Sequence, residues 1–179
     1  MEIFETDLLG VMILKPSVYE DERGFFKEVY NKKLYDSLGI KENFVQDNLS
    51  FSTKNVLRGM HFQKKYPQGK LVSCSGGSVY DVILDINPKS PTFKKFIGIE
   101  LTSKNHTMVW IPGGYAHGFC VLSDSAVFSY KCTDFHKPND EGGIIWSDSE
   151  IKIEWPIKNP VISKKDASLP TLEKYLNET

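Results

Sequence analysis

Between Asn55 and Asp85 the chain carries an unusual load of groups that could bind charge or move a proton. Arg58, His61, Gln63, Lys70 and Asp81 stand among residues that are otherwise mostly apolar or small. Period-two alternation puts Lys70, Val72 and Cys74 on one strand face, and Val79, Asp81, Ile83 and Asp85 on another. A buried Asp or Lys in such a row must be paired or hydrogen-bonded. Arg58 and His61 have opposite parity, so both can face one cavity only if the strand slips by a residue, and Gly59 is where a bulge would be tolerated. Taken singly, Arg58, Lys70 and Asp81 read as surface charges on a wet sheet face. As a cluster they read as a site.

A second constellation is Ile111-Pro-Gly-Gly-Tyr-Ala-His-Gly-Phe, where Pro112 and the glycines make a tight turn that delivers His117 to the next strand. Its PxGxxH spacing matches the second motif of cupin barrels. Metal-binding cupins add an HxH pair and a Glu from a first motif, the imidazole and carboxylate donors a divalent ion needs. Here the first motif offers His61-Phe62-Gln63, with one His, and Pro67 or Gln68 where the Glu would fall. No metal and no cofactor are therefore expected. His117 is left as either a substrate contact or a structural His at a turn. In the third group, Phe128, Tyr130 and Cys132 share a strand face; Tyr130 reads as core packing unless the opposite wall carries a His base. The fourth, running from Trp155 to Asp166, is loop-rich and delivers Lys165 and Asp166 just before a final helix.

The elements that must position these groups are mostly strands. Val11 to Leu14 is a short strand closed by Lys-Pro, and Val18 to Arg23 leads through a turn into Phe25-Phe26-Lys-Glu-Val-Tyr. Asn31 is placed to cap a helix through Leu38, with Gly39 ending it. After Phe44 to Asn48, strands are predicted over 55–62, 69–75, 78–86, 96–101, 106–111, 117–122 and 126–132. Short strands separated by Gly, Pro, Asn and Ser, without intervening helices, argue an all-β, jelly-roll sandwich or barrel. Ser168, with Pro170 in the first turn, is expected to cap the final helix, over about 168–177.

A chain of 179 residues fits one domain and can bury a real core. Its 22 basic and 23 acidic residues give a formal net charge of −1, which offers no electrostatic case for nucleic-acid or membrane binding. Cys74, Cys120 and Cys132 follow no CxxC or zinc-type spacing and read as reduced core thiols. The N-terminus is acidic where a secretory signal would be basic, and no apolar run approaches the roughly eighteen residues of a membrane span. A cytoplasmic protein is expected.

These motifs carry a resemblance. Asp21-Glu-Arg-Gly-Phe-Phe-Lys-Glu, Gln46-Asp-Asn-Leu-Ser, Leu57-Arg-Gly-Met-His-Phe-Gln, Gln68-Gly-Lys-Leu-Val, Tyr80-Asp-Val, Ser90-Pro-Thr-Phe, Ile111-Pro-Gly-Gly-Tyr-Ala-His-Gly-Phe and Ser163-Lys-Lys-Asp run in order over nearly the whole chain. Together they resemble the dTDP-4-dehydrorhamnose 3,5-epimerase family. The resemblance implies a metal-free cupin-type homodimer acting on a nucleotide-diphosphate sugar, with an N-terminal arm (about residues 1–50) contributing to the dimer. In that chemistry a 4-keto group acidifies the hydrogens on C3 and C5 of the sugar, and inversion needs a base on one face and an acid on the other. The resemblance makes His61 the base, Asp166 its orienting carboxylate, Tyr130 the acid and Lys70 the group that stabilises the enolate oxygen. It makes Arg23, Glu28, Gln46, Asn48, Arg58, His117, Glu141 and Lys165 contacts of the nucleotide sugar, the first two from the partner subunit, with Asp81 an orienter behind them. His136 stands where related enzymes commonly stack a Tyr on the thymine ring, a departure that bears on base preference.

Other classes share parts of the pattern. A mono-epimerase would invert one centre only. A sugar-nucleotide 3,4-ketoisomerase tends to read Arg-Gly-x-His-Ala-His, where this chain has Arg-Gly-Met-His-Phe-Gln. A non-catalytic sugar-binding cupin would have no use for a base, its carboxylate and an opposed Tyr together.

Overall fold

The turn-punctuated strands pair into two antiparallel sheets and a hairpin. In the computed structural model, which describes residues 1–178, the strands in chain order are β1 (Glu2–Glu5), β2 (Met12–Lys15), β3 (Val18–Asp21), β4 (Gly24–Lys27), β5 (Gln46–Thr53), β6 (Leu57–Gln63), β7 (Lys70–Gly76), β8 (Ser78–Asp85), β9 (Phe96–Thr102), β10 (Met108–Ile111), β11 (Tyr115–Val121), β12 (Ser125–Cys132) and β13 (Glu141–Gly143). One sheet has the order β1-β2-β10-β7-β12-β5, the other β13-β6-β11-β8-β9, and β3 and β4 form a separate hairpin. This is the cupin-like sandwich expected from the sequence. Short helices sit at the periphery: α1 (Lys32–Ser37), α2 (Lys164–Ala167) and α3 (Leu172–Asn177).

The main core lies between the sheets. Val72, Val79, Ile83, Leu101, Val109, Phe119, Val121 and Phe128 are almost fully buried there, and each such side chain contributes about 1.5–3 kcal/mol by leaving water. The outer face of the five-stranded sheet is covered in turn: Met60, Phe62, Val82, Leu84 and Ala116 pack against Ile144, Ile151 and Leu172 of the C-terminal segment. That double cover explains why Asp81 to Asp85 is buried without interruption, apolar residues filling both faces of β8. On the far side, α1 lays Tyr35 over Leu14, Leu71, Met108 and Trp110.

Helix ends follow local chemistry, with one correction. Asn31 Oδ1 accepts from Leu34 N at 3.2 Å and caps α1, as expected. The final helix, however, does not begin at Ser168. Ser163 Oγ caps α2 by accepting from Asp166 N, Ser168 closes α2, and Thr171 Oγ1 caps α3 one residue after Pro170. Two Ser/Thr caps eight residues apart, Ser163 before Pro170 and Thr171 after it, split the segment into two short helices.

The slip demanded by the opposed parity of Arg58 and His61 is present. In the β6–β11 ladder His61 pairs with His117 and Arg58 with Phe119, so three residues of β6 span two of β11. Gly59 has φ +117°, and a Cβ there would lie 2.6 Å from Gly118 Cα. Only glycine tolerates both the positive φ and this approach of two backbones.

Candidate active site

His61 comes from the five-stranded sheet, whereas Lys70 and Tyr130 come from the six-stranded one, so the sandwich itself sets them on facing walls. All three line a cavity of about 560 Å³ that also takes in Arg58, His117, Lys165 and Asp166. The same three border a second, smaller cavity of about 270 Å³, lined further by Gln46, Asn48, His136 and Glu141. The two chambers thus meet at His61, Lys70 and Tyr130.

His61 Nε2 lies 2.8 Å from Asp166 Oδ1. A carboxylate only accepts, so Nε2 carries the hydrogen and Nδ1 keeps the basic lone pair. The second Asp166 oxygen accepts from Gly59 N at 3.3 Å, which ties the carboxylate to the bulge that aims His61. Burial works to raise the Asp166 pKa, but the hydrogen bond and charge of His61, with the Gly59 amide and Ser163, outweigh it and hold the carboxyl below its ordinary value. It is therefore ionised, and it stabilises any imidazolium formed beside it.

A second imidazole–carboxylate pair sits next door, since His117 is the cross-strand partner of His61. His117 Nε2 lies 2.7 Å from Oδ1 of Asp81, which is wholly buried. Phe128 stacks on the His117 ring at 6.0 Å between centroids and fixes its plane from the opposite sheet.

Lys70 and Tyr130 are both half-buried, with opposite consequences. Burial lowers the Lys70 pKa, opposed by the negative potential of Cys132, Asp81 and Glu141. Burial raises that of Tyr130, and nearby Arg58 only partly offsets it. The phenol keeps its proton through the neutral range and can donate it, while the ammonium can still stabilise an oxyanion. Arg58 Nε donates to Ser52 Oγ at 3.1 Å at the cavity wall.

At the smaller chamber Glu141 joins two side chains. His136 Nε2 lies 2.9 Å from Glu141 Oε1, and Lys165 Nζ donates to the other oxygen. Burial disfavours the Glu141 charge, but Lys165 and His136 together outweigh it and lower its pKa. Because Lys165 lines the larger cavity and Glu141 the smaller, this ion pair spans the lip between them. Asn48 Nδ2 lies 3.5 Å from Cys132 Sγ, and Gln46 Nε2 donates to Asn48 Oδ1 at 2.9 Å.

Of the residues singled out from the sequence, His61, Lys70, Tyr130, Asp166, Arg58, His117, Lys165, Gln46, Asn48, His136 and Glu141 surround these two chambers, with Asp81 behind His117. Arg23 and Glu28 do not line either. Arg23 lies at the β3–β4 turn with its side chain 82% exposed, paired to Asp21 at 2.5 Å, and Glu28 accepts from Asn31 Nδ2. Sequence reasoning missed Ser50, Val161 and Ile162 in the cavity wall, and the backing role of Ser52. Their polar or apolar identities are ordinary for strands and loops and gave no signal. Among the described residues no group of three or more His, Cys, Asp or Glu side chains is close enough to hold a metal ion.

A cupin-like sandwich whose facing sheets present a carboxylate-backed imidazole and a protonated phenol defines an isomerase-type proton-transfer enzyme. Comparison with known proteins agrees. Residues 5–174 match the family model described as dTDP-4-dehydrorhamnose 3,5-epimerase. The dTDP-4-dehydrorhamnose 3,5-epimerase of Shigella flexneri is 52% identical over 168 residues, covering 93% of each chain. Among solved structures, the dTDP-6-deoxy-D-glucose-3,5-epimerase of Legionella pneumophila, in complex with dTDP-4-keto-L-rhamnose, is 46% identical with a TM-score of 0.93, covering 96% of this chain and 93% of that one. A 3'-monoepimerase from Streptomyces bikiniensis in complex with dTDP-quinovose is 26% identical with a TM-score of 0.90, covering 97% and 89%. The chain belongs to the dTDP-4-dehydrorhamnose 3,5-epimerase family.

Proposed function

We propose that the protein, which as a family member epimerises a dTDP-linked 4-keto-6-deoxy sugar, inverts both C3 and C5, with His61 as the base and Tyr130 as the acid. The observation that carries this reading is the origin of the two side chains on opposite sheets of one cavity. His61 Nδ1 removes a proton next to the ketone, the electron pair delocalises onto O4 as an enolate, and Lys70 stabilises the charge there. Tyr130 then returns a proton to the other face, which inverts the carbon. Asp166 holds the imidazole in the right tautomer and offsets the imidazolium charge; Asp81 orients His117 in the same way.

Lys165, paired to Glu141 at the lip between the chambers, suits the diphosphate that would join a sugar in the larger cavity to a nucleoside in the smaller one, and Arg58 and His117 suit the polar groups of that sugar. The smaller chamber is read as the nucleotide end, with Gln46, Asn48, Glu141 and His136 around the base. In the homodimer, Arg23 and Glu28 complete the partner's site from the β3–β4 arm. Support comes from the apolar surface that the arm and edge strand present: Tyr19, Phe25, Phe26, Leu49 and Phe51 are each more than half exposed. Sedimentation should give twice the chain mass of 20.4 kDa; a monomer would refute the shared site. Three unpaired buried thiols support a cytoplasmic location, and no helix among the described residues is long and apolar enough to cross a membrane. Disulfide-linked Cys74, Cys120 or Cys132 in protein purified from its source would count against that location.

The test is isotope exchange. Incubation with dTDP-4-keto-6-deoxy-D-glucose in heavy water should place deuterium at both C3 and C5. Label at C3 alone would establish the mono-epimerase reading, which the fold similarity to a 3'-monoepimerase keeps in play. Label at neither carbon, with binding intact, would make the protein a binding module.

A further inference from the structure

The wall of the smaller chamber that carries His136 is a loop, residues 133–137, and loops ordinarily give their backbone groups to water and move. This one does not. Asp134 O accepts from Gln68 Nε2 at 2.7 Å, and Phe135 O lies 3.4 Å from the Gln63 Nε2 donor. His136 N donates to Gln46 Oε1 at 2.9 Å and Lys137 N to Gln63 Oε1 at 2.7 Å. Four consecutive residues thus each have a main-chain group held by a glutamine, and the three glutamines come from β5, from β6 and from the segment just before β7.

The residue type matters. A carboxamide is the uncharged side-chain group that donates and accepts from one rigid plane. Gln63 uses both functions at once, accepting from Lys137 N while Nε2 donates to Tyr66 O at 2.8 Å. It is buried, so its contacts are shielded from competing water. Gln46 is committed in the same way, its carbonyl to His136 N and its amide to Asn48. The His136 imidazole, tethered by Glu141, faces the chamber.

We propose that Gln46, Gln63 and Gln68, besides lining the chamber, clamp this loop before ligand arrives, so that recognition of the nucleotide base depends on how firmly they hold His136 as well as on the groups that face the base. This rests on the reading of the smaller chamber as the nucleotide end. A wall ordered in advance costs the ligand no loop entropy, and the benefit appears in affinity for the base-bearing half alone. The diphosphate half, held by Lys165 at the lip between the chambers, gains nothing from the clamp.

Two measurements test the proposal. In the unliganded protein, hydrogen exchange of the peptide spanning 133–138 should be slow, and about tenfold faster or more in Gln63→Leu, since the opening of the loop then lacks the bonds that opposed it. In calorimetry, Gln63→Leu should weaken thymidine diphosphate by about tenfold and leave inorganic pyrophosphate within about twofold, with the kinetic loss in KM rather than kcat. Gln63→Glu, which keeps an acceptor for Lys137 N but loses the donor, should fall between. Gln68→Ala removes one donor at a partly exposed position and serves if Gln63→Leu does not fold. Fast exchange in the wild type, equal weakening of thymidine diphosphate and pyrophosphate, or unchanged thymidine diphosphate binding in a variant whose loop has loosened would each overturn the clamp. Wild-type protein that binds pyrophosphate but gains no affinity from the thymidine would instead sink the nucleotide reading, with the exchange data still deciding whether the loop is clamped.

Discussion

Asp166→Asn is the substitution that isolates the proposed base from everything around it. The carboxylate receives two hydrogen bonds, from His61 Nε2 at 2.8 Å and from Gly59 N at 3.3 Å. Asparagine has one acceptor oxygen to offer, so whichever way its amide turns, an NH2 group meets a donor. The negative charge that stabilises the imidazolium also disappears. A charge-assisted hydrogen bond of this kind contributes about 1.5–3 kcal/mol, and each 1.36 kcal/mol is about tenfold in rate. Asp166 is only 4% exposed, which argues for the full effect, but the His61 side chain is 39% exposed, and solvent screens its side of the pair. A loss of roughly 10- to 50-fold in kcat is therefore expected, with KM changed by less than about threefold because the hydrogen bonds disturbed are those to His61 and Gly59. The assay is the rate of deuterium entry at C3 and C5 followed by NMR at saturating sugar nucleotide. Folding should be unaffected at α2, since the cap there uses the Asp166 backbone and the Ser163 hydroxyl. A folded Asp166→Asn protein that exchanges at more than half the wild-type rate would refute the pairing as a catalytic device.

Three other perturbations separate the remaining groups. Tyr130→Phe removes the proton donor but not the base, so deuterium exchange should persist while net inversion falls by about 100-fold or more; loss of both together would place Tyr130 elsewhere in the mechanism. Burial favours the neutral amine of Lys70, so its folded pKa lies below the unfolded value of ~10.4, and the charge is lost as pH rises through that lower value. Tyr130, shifted upward, is still protonated there. The kcat profile should accordingly fall on its alkaline side below ~10.4, and Lys70→Arg should remove that limb; a limb unchanged in the arginine variant would assign it to another group. Gly59→Ala places a Cβ 2.6 Å from the Gly118 backbone at φ +117°. The conformational and steric costs together come to about 2–5 kcal/mol, read by thermal unfolding as a drop of roughly 5–15 °C, and a fall under about 2 °C would show that the bulge relaxes freely.

Where the sequence was legible, a single physical rule was at work. Alternation and turn residues located the sandwich strands, and the PxGxxH turn placed His117 at the mouth of β11. The conflict in parity between Arg58 and His61, with a glycine between them, was enough to expect the bulge. Legibility failed where two rules overlapped or where pairing is remote in sequence. Ser163, Ser168 and Thr171 are all competent caps, and only tertiary packing of Leu172 into the outer core decides between them. The backing of His61 by Asp166 joins residues 105 apart, and no spacing rule reaches that far; the family resemblance supplied it. The glutamines around the 133–137 loop show the opposite failure, since Gln63 stood out as a polar residue in a core strand but its partner was a backbone that carries no side-chain signal.

The border shared by the two chambers bears on how the protein could be inhibited. A fragment lodged in the larger hollow and another in the smaller one would abut the same imidazole, ammonium and phenol, so either alone would obstruct turnover. A short tether between them would turn the second docking event into an intramolecular one, with an effective concentration in the millimolar range for a span of a few bonds. The length of that tether, rather than the tightness of either fragment, would then govern potency.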